Sequence, residues 1–226
     1  MMNSSNPLFA ALQAAGRDAI GGLMVGMPGH IVVFDNQTQR AQVQCGIQRR
    51  LSDGTHQTIP VLINVPVKFS GSSEWAVFHE LPAGTEGYIH FSQRSVDAWL
   101  DMGGPAPPVS PSMFNASDAF FSPGYRSAKT AIPNLPASGV GMSNLDGSVR
   151  IHLTHDGIVL SVGNSTLSLT ESGMTYSGPR FTNTGETTLN ARTHITQGGL
   201  AVGNIEFASH THGGVERGNA KSDGPQ

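Results

Sequence analysis

The run from Gly147 to Ile205 constrains this chain most, because it repeats itself at a period too short to make a fold alone. Ile151-His152-Leu153-Thr154-His155-Asp156-Gly157-Ile158-Val159-Leu160 aligns with Leu167-Ser168-Leu169-Thr170-Glu171-Ser172-Gly173-Met174-Thr175-Tyr176, an offset of 16 residues. Each unit reads as strand, glycine corner, strand. A unit of this size cannot bury its apolar row by itself, so repetition and association must do so. A single-chain β-solenoid and a three-chain intertwined β-helix both satisfy the pattern. With about 59 residues a single-chain solenoid has few coils and exposed ends. Three chains triple the core and remove lateral edges, which favours a trimeric shaft. Leu189, Ala191, Thr193 and Ile195 then continue the inward row with smaller residues, as a narrowing shaft requires.

Composition fits long, uniform β structure. Charged residues make up 13% of the chain, against roughly 25% in an ordinary globular domain. Gly is plentiful, with 28 residues. The net charge of −3 argues against recruitment to nucleic acid or an anionic membrane by bulk charge. A single cysteine, Cys45, rules out a disulfide within one chain. It lies on the apolar side of the alternating run Ala41 to Ile47, where a buried small hydrophobe is expected.

Between Gly29 and about Gln93 five β-like runs appear: His30 to Phe34, Arg40 to Arg50, His56 to Phe69, Trp75 to Leu81 and Glu86 to Ser92. Turn-forming stretches rich in Gly, Ser, Asn and Asp separate them. Five short strands in this length fit a small closed barrel, of which the five-stranded OB-fold is the common case. Residues 24–103 hold five Lys/Arg and seven Asp/Glu. That balance does not supply the basic groove with stacking aromatics that single-strand binding needs, so the barrel is expected to be a platform.

Four segments carry a family resemblance: Gly29 to Asp35, Val61 to Val67, Gly84 to Trp99, and Ser117 to Gly124. Together they resemble the N-terminal domain of the central spike proteins of contractile-tailed phage baseplates, over roughly residues 28–126. The most specific part is the Glu86 to Trp99 run followed by Ser117 to Gly124. The family pattern usually has Asp where this chain has Thr85. The resemblance implies an OB-fold collar on a homotrimer, carrying a triple-stranded β-helix that ends in a metal-bound point. It also implies baseplate hub proteins as partners, transient contact with the host outer membrane, and a place in the virion tail.

The expected organisation is a helical segment at 1–27, the OB-fold at 28–103, a Pro-rich linker at 104–146, the shaft at 147–205 and an apex at 206–226. The helical segment rests on Leu8, Phe9, Leu12, Ala15, Ala19, Ile20 and Leu23, which recur at helical steps after Asn6 as N-cap and Pro7 at N1. Such a helix is expected to pack on a neighbouring subunit. The linker holds seven of the chain's 14 prolines, which favours extended, semi-rigid backbone. The N-terminus shows neither a signal-peptide pattern nor a long apolar span, so assembly in a host cytoplasm is expected.

The apex is read from His210-Thr211-His212, flanked by Ser209, Gly213 and Gly214. In an extended strand residues i and i+2 point to the same side. One chain then offers two imidazole ligands, too few for a protein metal site, while three chains around a threefold axis offer six in an octahedron. Such a shell suits a divalent ion such as iron, whereas zinc prefers four tetrahedral ligands. The resemblance implies one iron per trimer, carried onto His210 and His212. The other histidines, including His152 and His155, are scattered and expected to be surface or core residues.

A filled coordination shell has no open position for substrate, so the ion is expected to be a structural clasp. A metal-dependent hydrolase built on His-x-His needs further ligands and a base downstream, and only Asp223 and Glu216 are acids among the residues after His212. Neither a Gly-x-Ser-x-Gly elbow nor a phosphate loop is present, so no enzyme and no small-molecule substrate are expected. A trimeric tail fibre or adhesin shares the β shaft but more often ends in a globular head.

Overall fold

Two separate units take up the β-rich stretches of the sequence, Met1–Leu135 and Pro136–Gln226. The computed structural model describes residues 7–51, 53–195, 197, 199–207 and 209. The first unit holds α1 (Pro7–Gly21), β1 (Gly26–Asp35), β2 (Arg40–Cys45), β3 (Arg49–Arg50), β4 (His56–Gln57), β5 (Leu62–Pro66), β6 (Ser70–Gly71), β7 (Ala76–Val77), β8 (Glu86–Phe91), α2 (Asp97–Met102) and β9 (Ala119–Pro123). Five of the strands form one antiparallel sheet in the order β5-β2-β1-β8-β9.

Strand β1 is the spine of that sheet, because it is long enough to pair with two partners. Its first half, Gly26 to His30, runs against β8, and Gly29 to Asp35 runs against β2. Period-two alternation puts Ile31, Ala41, Val43, Cys45, Ile89, Phe91, Ala119 and Phe121 on one buried face. Ile31, Val43, Ile89 and Phe121 are fully buried. Full burial of such side chains contributes roughly 1.5–3 kcal/mol each. A bulge at Val32 breaks the pairing between Ile31 and Val33. The extra residue inverts the phase of β1, so Val33 turns outward and Phe34 packs on the core. Cys45 is buried as expected, and burial pushes its thiol pKa up.

The sheet curls into a half-barrel whose edges touch. Val67 and Phe121 form a parallel bridge, and the Lys68 N–H donates to the Phe121 carbonyl at 2.9 Å. The fifth strand, however, is not the expected one. Of Trp75 to Leu81 only Ala76–Val77 is strand, paired with the short β6 in a hairpin that leaves Trp75 and Phe78 exposed. The Ser72 hydroxyl accepts from the N–H groups of Glu74 and Trp75 and closes that hairpin locally. The fifth place belongs to β9, which lies inside the stretch read as a Pro-rich linker. Its Ala119 and Phe121 supply the apolar alternation, and Pro123 stands at its end, where a missing N–H is tolerated. Helix α1 matches the expected helix to within two residues of its end, and its apolar residues Leu12 and Ile20 are exposed.

The second unit holds β10 (Val140–Ser143), β11 (Val149–Leu153), β12 (Gly157–Val162), β13 (Ser165–Thr170), β14 (Gly173–Ser177), β15 (Ala201–Val202) and β16 (Ile205–Glu206). Strands β10 to β14 form a five-stranded antiparallel meander, each pairing with the next. The 16-residue repeat is thus one hairpin, β11–β12, followed by another, β13–β14. Gly157 and Gly173 stand at the corners with positive φ of 150° and 136°. Within residues 140–177 each strand thus pairs with its sequence neighbour in the same chain. Connections of two or three residues, at Gly163–Asn164, Glu171–Ser172 and Thr154–Asp156, return the chain beside the strand it has just left. Residues 178–195, with Leu189, Ala191, Thr193 and Ile195, form no strand within the chain.

The meander wears its apolar face outward to solvent. Register places Met142, Ile151, Leu160, Leu167 and Tyr176 in one column and Val140, Leu153, Ile158, Leu169 and Met174 in the next. The opposite face carries Arg150, His152, Ser161, Thr166, Ser168 and Thr175. Val140 is 75% exposed, Met174 68% and Leu169 50%. Among the described residues none of this unit is buried.

Candidate metal apex and the collar motif

His210 and His212 lie outside the described residues, so the structure adds no geometry to the pair. It does show how the chain approaches them. The hairpin β15–β16 turns at Gly203, whose φ is 59°, and Phe207 donates its N–H to the Leu200 carbonyl at 2.8 Å. Ser209 then donates its N–H to the Glu206 carbonyl at 3.3 Å. Among the described residues no group of three or more His, Cys, Asp or Glu side chains is placed to hold a metal ion. Of the scattered histidines, His152 sits on the polar face of the meander with Nε2 at 2.9 Å from the Ser138 carbonyl. His155 is exposed in the β11–β12 turn. Neither belongs to a group of three or more possible metal ligands among the described residues.

The two most specific segments of the resemblance meet in space. Strands β8 and β9 pair from Gly87–Pro123 to Phe91–Ala119. Where the pairing ends, Asp118 is buried at 1% exposure and accepts the Val96 N–H on Oδ1 at 3.0 Å. The Asp118 carbonyl accepts the Ser92 N–H at 2.8 Å. Asn115 caps the short 3₁₀ turn Ala116–Asp118 by accepting the Ser117 N–H. Trp99 on α2 contacts the Phe120 ring edge-on, with centroids 6.1 Å apart. Glu86, at the other end of β8, accepts from the Ser127 N–H at 2.6 Å, the Ser127 hydroxyl at 2.9 Å and the Thr130 hydroxyl at 2.5 Å. The Ser127 N–H first and the Thr130 hydroxyl next hold the Glu86 pKa below the ordinary glutamate value.

Sequence reasoning singled out these segments but not the work done by Asp118 and Glu86. Each has a signal. Asp118 is an acid wedged between an Asn-Ala-Ser cap and an apolar strand, and Glu86 opens a strand directly after the Pro82-Ala83-Gly84-Thr85 turn. Thr85 closes that turn, donating both its N–H, at 3.1 Å, and its hydroxyl, at 2.6 Å, to the Pro82 carbonyl.

Residues 27–124 match the family described as the phage protein Gp138 N-terminal domain, and residues 208–226 match the GpV Apex motif. The chain therefore carries the modules of a phage central spike protein, an N-terminal domain of the Gp138 type and an apex of the GpV type. The apex match contains His210 and His212. No curated protein matches the chain.

Proposed function

We propose that the chain is the homotrimeric central spike of a contractile phage tail baseplate, driven point first through the host outer membrane when the sheath contracts. The observation that carries this reading is the pairing of the two modules, Gp138-type at 27–124 and GpV-type at 208–226, with an unburied apolar meander between them. The half-barrel serves as an OB-type collar, supported by its strand order and by the Val67–Phe121 bridge between its edges. The collar seats the spike on the baseplate hub proteins, and the shaft transmits force to the tip. The protein is assembled in the host cytoplasm and resides in the virion tail.

At the tip, His210 and His212 of three chains hold one iron ion. Six imidazole nitrogens fit an octahedral divalent ion by donor chemistry. When bound, the ion supplies cross-linking of three strand ends and no turnover. The function is mechanical, with neither nucleic acid nor a small-molecule substrate as partner. Elemental analysis and mass photometry on one chelator-washed sample test this. Expected are about one iron per three chains and a mass three times the 23.7 kDa of the chain. A stable monomer overturns the reading, and one metal per chain overturns the shared site.

A further inference from the structure

The first unit carries an aromatic hollow of about 870 Å³, lined by the turn after β1 and by the segment Phe78–Pro82 that follows β7. That volume lies within the range of small-molecule sites, about 300–1,000 Å³. Four rings line it: Phe34, Phe69, Phe78 and His79. Phe34 and Phe69 are half-buried and packed against the core of the half-barrel, which holds them in place. Their centroids lie 6.1 Å apart with the rings inclined at 54°, and the His79 imidazole lies 5.7 Å from Phe69 at 46°. At these angles the rings do not stack face to face, so their π faces stay available to a ligand. Phe78 is 84% exposed, an apolar ring that gains nothing from the fold of the single chain.

The charge of the wall points to the sign of the ligand. Glu80 supplies a carboxylate, and among the described residues that line the hollow no Lys or Arg joins it; Asn36 and Gln39 add neutral amides. Aromatic faces carry the negative part of the ring quadrupole and attract a cation within about 6 Å of the centroid. A carboxylate beside them adds a full negative charge. An anion is repelled by both, and a phosphate finds no basic partner. A neutral apolar ligand uses the rings but leaves Glu80 without a role.

We infer that this hollow binds a soluble organic cation, an alkylated ammonium whose head is caged by Phe34, Phe69, Phe78 and His79 and paired with Glu80. Alkyl groups on the nitrogen give the charge an apolar surface that the rings can touch, which a strongly hydrated ion does not offer. The site is built within one chain and holds whatever number of copies assemble.

The test uses the full-length chain and two probes of the same shape: choline, and its neutral analogue with carbon in place of the quaternary nitrogen. The equivalent methyl groups of each give a single sharp NMR signal, and its broadening by the protein reports binding. Choline is expected to bind saturably and about 5–30-fold more tightly than the analogue, the ratio a cation–π contribution of this kind gives. Phosphocholine is expected to bind more weakly than choline. Phe78→Ala and Glu80→Gln, both at exposed positions, are each expected to weaken choline binding several-fold. Trp75→Ala, exposed and outside the hollow, is expected to leave it unchanged. Absence of choline binding, or equal binding of the neutral analogue, overturns the site. Choline binding that survives both Phe78→Ala and Glu80→Gln places the cation elsewhere, and tighter binding of phosphocholine overturns a purely cationic ligand.

Discussion

The buried carboxylate of Asp118 and the backbone N–H of Val96, 22 residues apart in sequence, are joined by a 3.0 Å hydrogen bond. That bond ties the turn before α2 to the start of β9 and fixes how the last strand of the half-barrel enters the sheet. Removing the acceptor leaves a buried donor unpaired, which costs about 1–3 kcal/mol. Asp118→Ala is therefore expected to destabilise the first unit by about that much and to speed hydrogen exchange at Val96. Asp118→Asn, which retains an acceptor oxygen, is expected to lose less. Equal protection of Val96 in wild type and Asp118→Ala would show that the bond does not restrain this turn.

Gly29 and Gly87 lie opposite each other in the β1–β8 ladder. A Cβ on Gly87 would collide with the Phe121 ring and the Ser122 carbonyl, and one on Gly29 would come within 2.6 Å of Ile89 Cδ1. Overpacking of this kind costs typically about 1–3 kcal/mol. Gly87→Ala is expected to lower the denaturation midpoint by a corresponding amount. Because the obstacle is partly the Phe121 ring, the cost should shrink in a Phe121→Leu background. Simple additivity of the two substitutions in a double-mutant cycle would place the strain on the Ser122 backbone instead.

Glu86 clasps Ser127 and Thr130 with its carboxylate, and its folded pKa is depressed. A depressed carboxylate pKa stabilises the folded state above the unfolded value, and the contribution is lost as pH falls through the folded value. The segment Ser127–Thr130 is therefore expected to loosen as the pH drops below the ordinary glutamate range near 4.5. An NMR titration of the Glu86 side chain, followed together with the Ser127 amide, checks this. In Glu86→Gln the Ser127 response to acid should disappear, and its persistence would assign the change to another group.

Much of the architecture was legible where a local rule sets it. Alternation placed Cys45 in the core, and the glycine corners at Gly157 and Gly173 marked real turns. Partnering is not a local property, and there the sequence misled. Trp75-Ala76-Val77-Phe78 looks as strand-like as Ala119-Phe120-Phe121, yet the sheet admits only the second, because Asp118 and Asn115 build a capped entry to it. The repeat gave the period correctly and left open which chain each strand pairs with. In residues 140–177 the turns of two or three residues return each strand antiparallel beside the one before it. The His210–His212 pair was legible as donor chemistry alone.

That donor chemistry leads to a prediction about what the tip contributes. If the apolar column from Met142 to Tyr176 holds three copies together, the ion is a clasp and not the source of the trimer. His210→Ala/His212→Ala is then expected to lose iron and keep a mass of three chains. Acidification is expected to release iron from the wild type as well, because a ligating imidazole must be neutral and its unperturbed pKa is about 6.5. Elemental analysis across a pH series, with oligomer mass measured on the same fractions, separates the two effects. Metal should leave on the acid side of histidine titration while the trimer persists. Dissociation to monomers in step with metal loss would mean that the histidine ligands, and not the apolar column, carry the assembly.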